Sequence, residues 1–316
     1  MNLKESVKNF YSKAVSCLPL RPLADPKYFE MWEKKGVHIT PDFCYSPIPH
    51  LADLNESTWD RKSQLVGIDM NRTKQVEMMR MFSEKFASEY NQFPKDKNPG
   101  GGEYYLNNCF LGPVDAEVLY SMVRHLKPAK VLEIGSGFST YLTAKALLEN
   151  EKNGTPRANL TAVECNPNPV LKNGFPGLTR LIDKRIEEID MKELTDLNEN
   201  DIFFIDSSHT VRIGGDVTYL FLEILPRLKK GVYIHVHDIF FPDEYPKEWI
   251  QKNNMFWAEQ YLLQAFLMFN QSFEVVWCGN MMHKEFSNDL EKAFRSYDPK
   301  AELLYLPKSF WMRKTA

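Results

Sequence analysis

The sequence has no large excess of either charge and no long hydrophobic run, and each shortage excludes a class of protein. Its 316 residues include 39 lysines and arginines against 42 aspartates and glutamates, a formal net charge of −3. Proteins that bind nucleic acid usually have more basic than acidic residues, because their cationic side chains neutralise backbone phosphates. We therefore expect no nucleic-acid substrate. A membrane helix needs about eighteen or more consecutive apolar residues, so we also expect no membrane span.

Cysteine is scarce as well. The five cysteines are scattered along the chain and include no Cys-x-x-Cys pair. A dispersed and odd-numbered set argues against a disulfide framework and against a structural zinc site. The start of the chain lacks the apolar core of a signal peptide. Together these observations predict a cytoplasmic protein in a reducing compartment.

The two parts of the chain differ in pattern. Up to about Gly102, helical patches are interrupted by prolines, and residues 73–90 are predicted to form an amphipathic helix. The polar, glycine-rich stretch at 95–102 is the expected boundary between an N-terminal helical or extended region, residues 1–102, and a second domain, residues 103–316. We expect the N-terminal region to act as a lid or to mediate a homodimer.

Beyond residue 102, short apolar runs alternate with longer helical patterns. The predicted strands are 130–134, 160–164, 179–182, 201–205 and 232–236, followed by 273–277 and 309–313. Helices are predicted in between, among them 139–148, 215–228, 257–270 and 289–296. Apolar strands that alternate with helices are typical of a parallel sheet covered on both faces. The sequence therefore predicts an α/β fold with an N-terminal helical extension.

The first predicted strand runs into a glycine-rich turn. The turn reads Glu133-Ile134-Gly135-Ser136-Gly137-Phe138-Ser139-Thr140. Glycine permits the positive φ that a tight strand-to-helix turn needs, and it lets a ligand approach the backbone closely. Ser139 or Thr140 can cap the following helix, whose first N–H groups favour a carboxylate or another anionic group. This turn is the strongest candidate for a cofactor site.

Two common kinds of ligand of glycine-rich turns are disfavoured, because this turn lacks a residue that each of them requires. A dinucleotide fingerprint has a third glycine where Thr140 stands, and a phosphate-binding Walker loop has a lysine that is absent here. Glu133, ahead of the first glycine, can instead lie beside the cationic amino acid end of S-adenosylmethionine. Glu164, at the end of the second strand, can accept hydrogen bonds from two ribose hydroxyls. Their order and spacing favour S-adenosylmethionine as the cofactor.

With these motifs, the segment from about Tyr104 to Arg313 resembles the class I S-adenosylmethionine-dependent methyltransferases. It is most similar to a bacterial group whose first motif reads Glu-Ile-Gly-Ser-Gly-x-Ser-Thr. The sequences Tyr-Ser-Pro-Ile-Pro and Gly-Ile-Asp-Met-Asn, between residues 45 and 71, look like the N-terminal region of that group. The resemblance implies a Rossmann-like, doubly wound, seven-stranded sheet that is mostly parallel, with an antiparallel last strand. It leaves the methyl acceptor undefined.

One position departs from the family pattern. The family often has an acidic residue after the third strand that binds the adenine amine. Here Arg185 stands near that position, so the contact is expected either from a backbone amide or from Asp183. The sequence does not decide between them.

Polar side chains follow the fourth and fifth predicted strands. Asp206 and His209 come after the fourth strand, and His237 and Asp238 come at the end of the fifth. Ligands of an open parallel sheet lie outside the carboxyl ends of its strands, so these groups should face the methyl group of the cofactor. A neutral histidine is well suited to remove a hydroxyl proton near pH 7. We predict His209 first and His237 second as general base, supported by Asp238, with Asp206 among the cofactor-binding residues.

A metal ion is the alternative for these side chains. The resemblance includes small-molecule O-methyltransferases that hold Mg²⁺ with one acidic residue after the fourth strand and an acidic pair after the fifth. Asp206 and Asp238 match two of those places, but His237 occupies the third, and Mg²⁺ prefers oxygen ligands. We therefore predict no metal site and keep Mg²⁺ as the unfavoured alternative.

The sequence as a whole predicts methyl transfer from S-adenosylmethionine to oxygen of a small-molecule or carbohydrate-linked acceptor. Two other classes stay open. An NAD-dependent oxidoreductase on a Rossmann sheet would bind NAD, which the missing third glycine disfavours. A non-catalytic protein that keeps the fold would bind the cofactor, and substitution of His209 or His237 would then change no turnover.

Overall fold

The computed structural model describes residues 3–97 and 103–316, so part of the predicted boundary at 95–102 lies outside the described residues. By its internal contacts the chain divides into two compact units, residues 1–58 and 59–316. The first unit contains helices α1 (Leu3–Ser16) and α2 (Phe29–Glu33) with short 3-10 turns. None of its described residues is fully buried, so this part of the chain has no hydrophobic core of its own.

A seven-stranded sheet organises the second unit. Its strands are β1 (Lys130–Ile134), β2 (Asn159–Val163), β3 (Arg180–Ile182), β4 (Ile202–Ile205), β5 (Tyr233–Val236), β6 (Phe273–Cys278) and β7 (Phe310–Lys314). They lie in the order β3-β2-β1-β4-β5-β7-β6. Strands β1 to β5 pair in parallel, whereas β7 is antiparallel to both β5 and β6. The predicted Rossmann-like, mostly parallel sheet with an antiparallel last strand is confirmed.

Helices surround the sheet. They are α3 (Glu56–Asp60), α4 (Arg72–Tyr90), α5 (Asp115–Leu126), α6 (Phe138–Lys152), α7 (Pro169–Asn173), α8 (Met191–Thr195), α9 (Asp216–Tyr219), α10 (Lys247–Gln251), α11 (Glu259–Leu267), α12 (Gly279–Glu285) and α13 (Ser287–Ala293). The predicted amphipathic helix at 73–90 is confirmed as α4. Its side chains Met79, Phe82 and Phe86 are buried, and the helix packs against α5 and α13.

Three predicted helices differ from the structure in length or continuity. The helix predicted at 215–228 is α9 followed by a π-helical turn, Leu220–Ile224, and a 3-10 turn. Pro226 cannot donate the amide hydrogen that a continuing α-helix requires. The helix predicted at 257–270 is the shorter α11, which ends at Leu267 because Met268 leaves the helical conformation with a ψ of 120°. The helix predicted at 289–296 is α13, which begins and ends earlier.

Helix α5 carries a buried carboxyl, Glu117, which is 2% exposed. One of its oxygens accepts the backbone N–H of Val114 at 2.7 Å, and the hydroxyl of Ser296 donates to the other. Burial raises the pKa of Glu117 to about 7, because the charged form is poorly solvated there.

We expect Glu117 to make the stability of the protein depend on pH. Its folded pKa of about 7 lies above the ordinary value of 4.5, so its stabilising effect is complete below pH 4.5 and is lost as pH rises through 7. The linked change in the free energy of unfolding is on the order of 3 kcal/mol. Glu117→Gln removes this dependence; its amide oxygen can accept the Val114 N–H, and its NH2 group can donate to the Ser296 hydroxyl. Urea unfolding at pH 5 and pH 8 checks it, and parallel changes in wild type and variant would contradict it.

Candidate active site

The site lies where the strand order reverses, between β1 and β4. The amide of Gly135 donates to the carbonyl of Val163 at 2.9 Å, and the amide of Asp206 donates to the carbonyl of Ile134 at 2.8 Å. These bonds align the residues that leave β1 and β4 at the carboxyl edge of the sheet. Open α/β sheets bind ligands at such a reversal.

The two glycines of the turn have different surroundings. Gly135 has a φ of +81°, and a Cβ atom added to it would lie 1.7 Å from the carbonyl oxygen of Asp206. Only glycine allows β1 and β4 to end this close together. Gly137 has extended backbone, and a Cβ atom there would meet nothing within 4 Å. The turn is therefore tightly packed at Gly135 and open beside Gly137, where α6 begins.

Glu133 lies beneath this turn with a side chain that is fully buried. The hydroxyl of Ser139 donates to its Oε1, while its Oε2 has no hydrogen-bond partner among the described residues. Burial raises the pKa of Glu133 to about 8, and the Ser139 and Thr140 side chains only partly offset this effect. A hydrogen-bond donor on a bound ligand would supply the partner that this buried oxygen lacks.

Glu164 lies on the other side of the turn, directly after β2. Its carboxylate accepts the backbone N–H of Ser136 at 3.2 Å and that of Asn166 at 2.8 Å. These two bonds fix the carboxylate beside the glycine turn and leave lone pairs on both oxygens. Its role as an acceptor for ribose hydroxyls stays a prediction.

Two clefts open around the turn. The first, here called the Arg185 cleft, has a volume of about 270 Å³ and is lined by Ile134, Gly135, Val163, Glu164, Cys165, Lys184, Arg185, Ile186, Glu187, Asp206, Ser207, Ser208, Arg212 and Asp216. The second, the Phe138 cleft, has a volume of about 380 Å³ and is lined by Phe110, Leu111, Gly135, Ser136, Gly137, Phe138, Ser139, Glu164, Asn168 and Asp206. They share Gly135, Glu164 and Asp206. An elongated ligand can therefore lie across the turn with one end in each cleft.

Arg185 lines the cleft named after it, as do its neighbours Lys184 and Ile186. Asp183, one of the two predicted adenine contacts, is not among the residues that line this cleft. The source of the adenine contact stays a prediction, with both alternatives open.

Behind the clefts lies a group of ionisable side chains, all buried except the partly exposed Asp206, here called the His–Asp cluster: Asp115, Asp206, His209, His237, Asp238 and Glu259. His209 is at its centre. Its Nδ1 lies 2.8 Å from Glu259 Oε2, and its Nε2 lies 3.2 Å from Asp206 Oδ1 and 3.6 Å from Asp238 Oδ2. Burial alone would lower the pKa of His209, but the hydrogen bonds to Asp206 and Glu259 outweigh it and hold that pKa well above its usual range.

His237 contacts the same two aspartates from the other side. Its Nδ1 lies 3.5 Å from Asp238 Oδ1 and 3.7 Å from Asp206 Oδ2, and its Nε2 lies 3.6 Å from Asp115 Oδ2. Burial opposes its protonation, but the charges of Asp238 and Asp206 raise the pKa of His237 to about 10. In turn, burial acts against ionisation of Asp238, but His237 lowers the pKa of that carboxyl. The two imidazoles and the carboxylates form one electrostatically coupled group.

Asp206 connects this cluster to the clefts. Its side chain is 31% exposed, and it lines both the Arg185 cleft and the Phe138 cleft. His209, His237 and Asp238 are each less than a tenth exposed. Asp206 is therefore a member of the cluster that both lies beside the buried histidines and lines the two clefts.

Two members of the cluster were not anticipated from the sequence. Glu259 lies 50 residues beyond the histidine that it contacts, in a stretch whose periodicity indicates only an amphipathic helix. Asp115 opens α5, where an acidic residue is ordinary, and it accepts the backbone amides of Lys308 and Ser309. No local pattern distinguishes either of them from a helix-capping residue.

His235, the other histidine of β5, has a different environment. Its ring stacks on Phe204 with centroids 3.9 Å apart, and its Nε2 lies 3.0 Å from Ser309 Oγ. Burial lowers its pKa well below the usual range, so the ring is neutral. It belongs to the packed core of the sheet.

Aromatic side chains after β5 cover the cluster. Trp249 contacts Phe240 at 5.2 Å and Trp257 at 5.3 Å, measured between ring centroids. The ring of Trp257 lies 4.3 Å from that of His209. These ring contacts place a layer of packed aromatic side chains against His209.

Asp206, His209 and Asp238 also meet the spacing that a metal ion requires. Each offers one ligand atom, and these atoms lie within 4.8 Å of one another. The histidine of this group is His209. The family resemblance aligned a different histidine, His237, with the third metal-binding place.

Comparison with known proteins adds a family match over part of the chain. Residues 132–239 match a family model described as a methyltransferase domain. The matched segment runs from β1 to the residue after Asp238, so it includes the glycine turn, Asp206 and both histidines of the cluster.

Among the described residues, no helix is long and apolar enough to cross a membrane.

Individual relatives are more distant. A protein of Archaeoglobus fulgidus, described as uncharacterised, is 27% identical over 175 residues, which are 52% of this chain and 76% of the relative. The plantazolicin methyltransferase BamL, solved with a triazolic substrate analogue and S-adenosylhomocysteine, is 11% identical with a TM-score of 0.35, and the match covers 78% of this chain and all of BamL. The apo structure of CmcI-N160 is 14% identical with a TM-score of 0.36 and covers 65% and 72%. Residues 132–239 of this chain are thus similar to a methyltransferase domain.

Proposed function

We propose that this protein transfers the methyl group of S-adenosylmethionine to an oxygen atom of a small-molecule or carbohydrate-linked acceptor. One observation carries the proposal: Asp206 lines both clefts at the glycine turn and contacts both buried histidines of the His–Asp cluster. The proposed cofactor site and the proposed general bases both lie beside Asp206. Methyl transfer to a hydroxyl requires the cofactor and the base to be close together.

The residues at the turn fit the cofactor. Close packing at Gly135, open space beside Gly137 and an unpartnered buried oxygen on Glu133 suit a ligand with a cationic amino group. The proposed cofactor-binding residues are Glu133, Gly135, Ser136, Gly137, Ser139, Thr140, Glu164 and Asp206. S-adenosylmethionine supplies a methyl group that is activated by a sulfonium leaving group. The contribution of the protein is to hold donor and acceptor in line and to exclude water.

Transfer to oxygen is favoured over transfer to nitrogen by the His–Asp cluster. A hydroxyl must lose its proton as it attacks, and a histidine beside a carboxylate is suited to take it. We propose His209 first and His237 second as general base, with Asp238 as the supporting carboxylate. In the ligand-free protein the surrounding carboxylates keep both imidazoles protonated at neutral pH. A positively charged group in the adjoining cleft favours loss of that proton, because like charges disfavour the protonated ring.

Calorimetry with S-adenosylhomocysteine tests the cofactor part of the proposal. We expect saturable binding of one ligand per chain, and no binding of NAD under the same conditions. Absence of S-adenosylhomocysteine binding would contradict the proposal. Binding of NAD would support the oxidoreductase alternative instead.

We expect the affinity for S-adenosylhomocysteine to rise with pH up to about 8 and to level off above it. Glu133 is neutral below its raised pKa of about 8, and only its ionised form pairs with the ammonium group of the ligand. Binding at pH 6.5 therefore releases a proton, which calorimetry in two buffers of different ionisation enthalpy measures. Glu133→Gln binds more weakly and loses this proton release. Equal proton release from wild type and variant would rule out the proposed contact.

The N-terminal region stays part of the proposal. We propose that residues 1–102 act as a lid or mediate a homodimer. Light scattering on the full chain and on a chain that begins at residue 59, where the second compact unit starts, tests whether the first unit mediates a dimer, because only a dimerisation region changes the number of chains in the assembly.

A further inference from the structure

We propose that the methyl acceptor is a flat aromatic molecule that carries a hydroxyl group, and that it binds in the Phe138 cleft against the rings of Phe110 and Phe138. The inference rests on the proposed function, because it names the class of acceptor for the same site. Both rings line the Phe138 cleft, and so does Asp206, which lies beside the two histidines of the His–Asp cluster. A molecule held by the two rings therefore shares a cleft with the carboxylate next to the proposed general bases.

Phe110 is an exposed aromatic side chain within this cleft. It is 67% exposed, and its ring lies nearly parallel to that of Phe138, with centroids 5.8 Å apart and an angle of 19° between the planes. Phe138 is held in turn by edge contacts with Tyr105 at 5.2 Å and Tyr141 at 5.9 Å. A third flat ring can extend this stack, because aromatic rings attract one another in offset parallel arrangements.

The turn that carries Phe110 is fixed by the buried side chain of Asn108. Its Oδ1 accepts the amides of Phe110 and Leu111 at 2.9 and 2.8 Å. Its Nδ2 donates to the carbonyls of Tyr105 and Leu111 at 2.6 and 2.9 Å. The amide group of Asn108 thus uses both of its donors and both acceptor positions within the turn. The exposed ring is therefore part of a preformed surface, and little conformational entropy is lost when a ligand binds to it.

The proposed cofactor leaves these two rings without a partner. Residues 184–187, which follow β3, line the Arg185 cleft, and the adenine contact is expected from that part of the chain. The amino acid end then lies in the Phe138 cleft, where Ser139 donates to the buried Glu133. That end contains no ring and is the smaller part of S-adenosylmethionine, yet the Phe138 cleft is the larger of the two, at about 380 Å³ against about 270 Å³. The remaining space suits a second ligand.

The groups around the rings favour an aromatic acceptor over a sugar. Phe110, Phe138 and Leu111 line the cleft without a polar side-chain atom. Two of its polar side chains are already engaged, since Asn168 caps α7 through its side-chain oxygen and Ser139 donates to Glu133. A sugar brings several hydroxyls that each need a hydrogen-bond partner, whereas an aromatic alcohol brings one. The single hydroxyl is also the group that accepts the methyl.

The test is a fluorescence titration of the full-length protein, saturated with S-adenosylhomocysteine, with the aromatic alcohol β-naphthol. We expect one saturable site per chain, and we expect methyl glucoside at about tenfold excess to leave the bound β-naphthol in place. A loaded protein without saturable β-naphthol binding, or displacement by methyl glucoside at equal concentration, would overturn the inference. Absence of S-adenosylhomocysteine binding would instead contradict the proposed function, and the inference would fall with it.

Variants assign the bound ring to Phe110. Phe110→Ala should weaken β-naphthol binding by about tenfold and leave the affinity for S-adenosylhomocysteine unchanged. Phe110→Tyr keeps an aromatic ring and should retain β-naphthol binding. Phe269→Ala is the matched control, because Phe269 is 73% exposed and lies outside both clefts.

Two results with these variants would contradict the assignment. Equal affinity of wild type and Phe110→Ala for β-naphthol would place the aromatic alcohol elsewhere on the protein. A fall in the affinity of Phe110→Ala for S-adenosylhomocysteine, as large as that for β-naphthol, would assign the ring to the cofactor. Circular dichroism melting shows that each variant is folded.

Discussion

Gly135→Val is expected to abolish binding of S-adenosylhomocysteine. The Cβ atom would lie 1.7 Å from the backbone carbonyl oxygen of Asp206 and 2.7 Å from the carbonyl carbon. Backbone cannot rotate away as a flexible side chain can, so the ends of β1 and β4 must separate. The positive φ of +81° adds strain of about 1–3 kcal/mol for a residue other than glycine. Because both clefts share Gly135 and Asp206, we expect affinity to fall by more than about 100-fold in calorimetry.

Two other glycines serve as matched controls. Gly154 has a φ of +84° and open space around its Cβ position, so Gly154→Ala carries the same backbone strain without a clash and should bind normally. Gly137→Ala creates neither strain nor a clash within the protein, so it should fold like the wild type. A drop in affinity in Gly137→Ala then reports contact with the ligand itself. Normal affinity in both Gly135→Val and Gly137→Ala would show that the turn is not the cofactor site.

His209→Ala and His237→Ala are each expected to slow methyl transfer to hydroxyl acceptors by about 10²- to 10⁴-fold. Both side chains contact Asp206, yet neither lines the clefts, so affinity for S-adenosylhomocysteine should stay close to that of the wild type. The measurement is transfer of labelled methyl from S-adenosylmethionine to a panel of sugars and phenols. A parallel panel of amines should show little loss, because an amine attacks with its own lone pair.

His283→Ala is the control for this experiment. His283 is half-buried and bonds to the hydroxyl of Tyr297 at 2.7 Å, outside the His–Asp cluster. Its loss should leave transfer unchanged. If the two cluster variants also transfer at the wild-type rate, the histidine base is wrong. If they lose transfer to amines and hydroxyls equally, the cluster positions the acceptor and does not select oxygen.

The parts of the fold that were predictable are those encoded in short stretches of sequence. A strand such as β4 is buried along its whole length, so its residues are apolar in an unbroken run and are recognised without knowledge of their neighbours. The turn at Gly135 is recognised by residue type, because few other residues tolerate its φ. The continuity of the helix after Gly215 was not predictable to the same degree, since the π-helical turn at Leu220–Ile224 depends on packing around it.

The candidate site was predictable only in part. Asp206, His209, His237 and Asp238 follow strands, and the parallel arrangement brings strand ends together. Which of them contact each other depends on side-chain packing. The pairing of His209 with Glu259 spans 50 residues, and the contact of Asp115 with the backbone of Lys308 and Ser309 spans more than 190. The hydrophobic periodicity of the sequence contains no information about contacts between residues so far apart along the chain.

By itself, the sequence determined the α/β class, the number of strands and the position of the glycine turn, because apolar periodicity and the conformational freedom of glycine act locally. Only the tertiary structure decided that Asp206 joins the two clefts to the histidines and that Glu259 orients His209. The physical reason is the order of the strands. Placing β4 beside β1, and β5 beside β4, brings together side chains that are distant along the chain and buries their charges against one another.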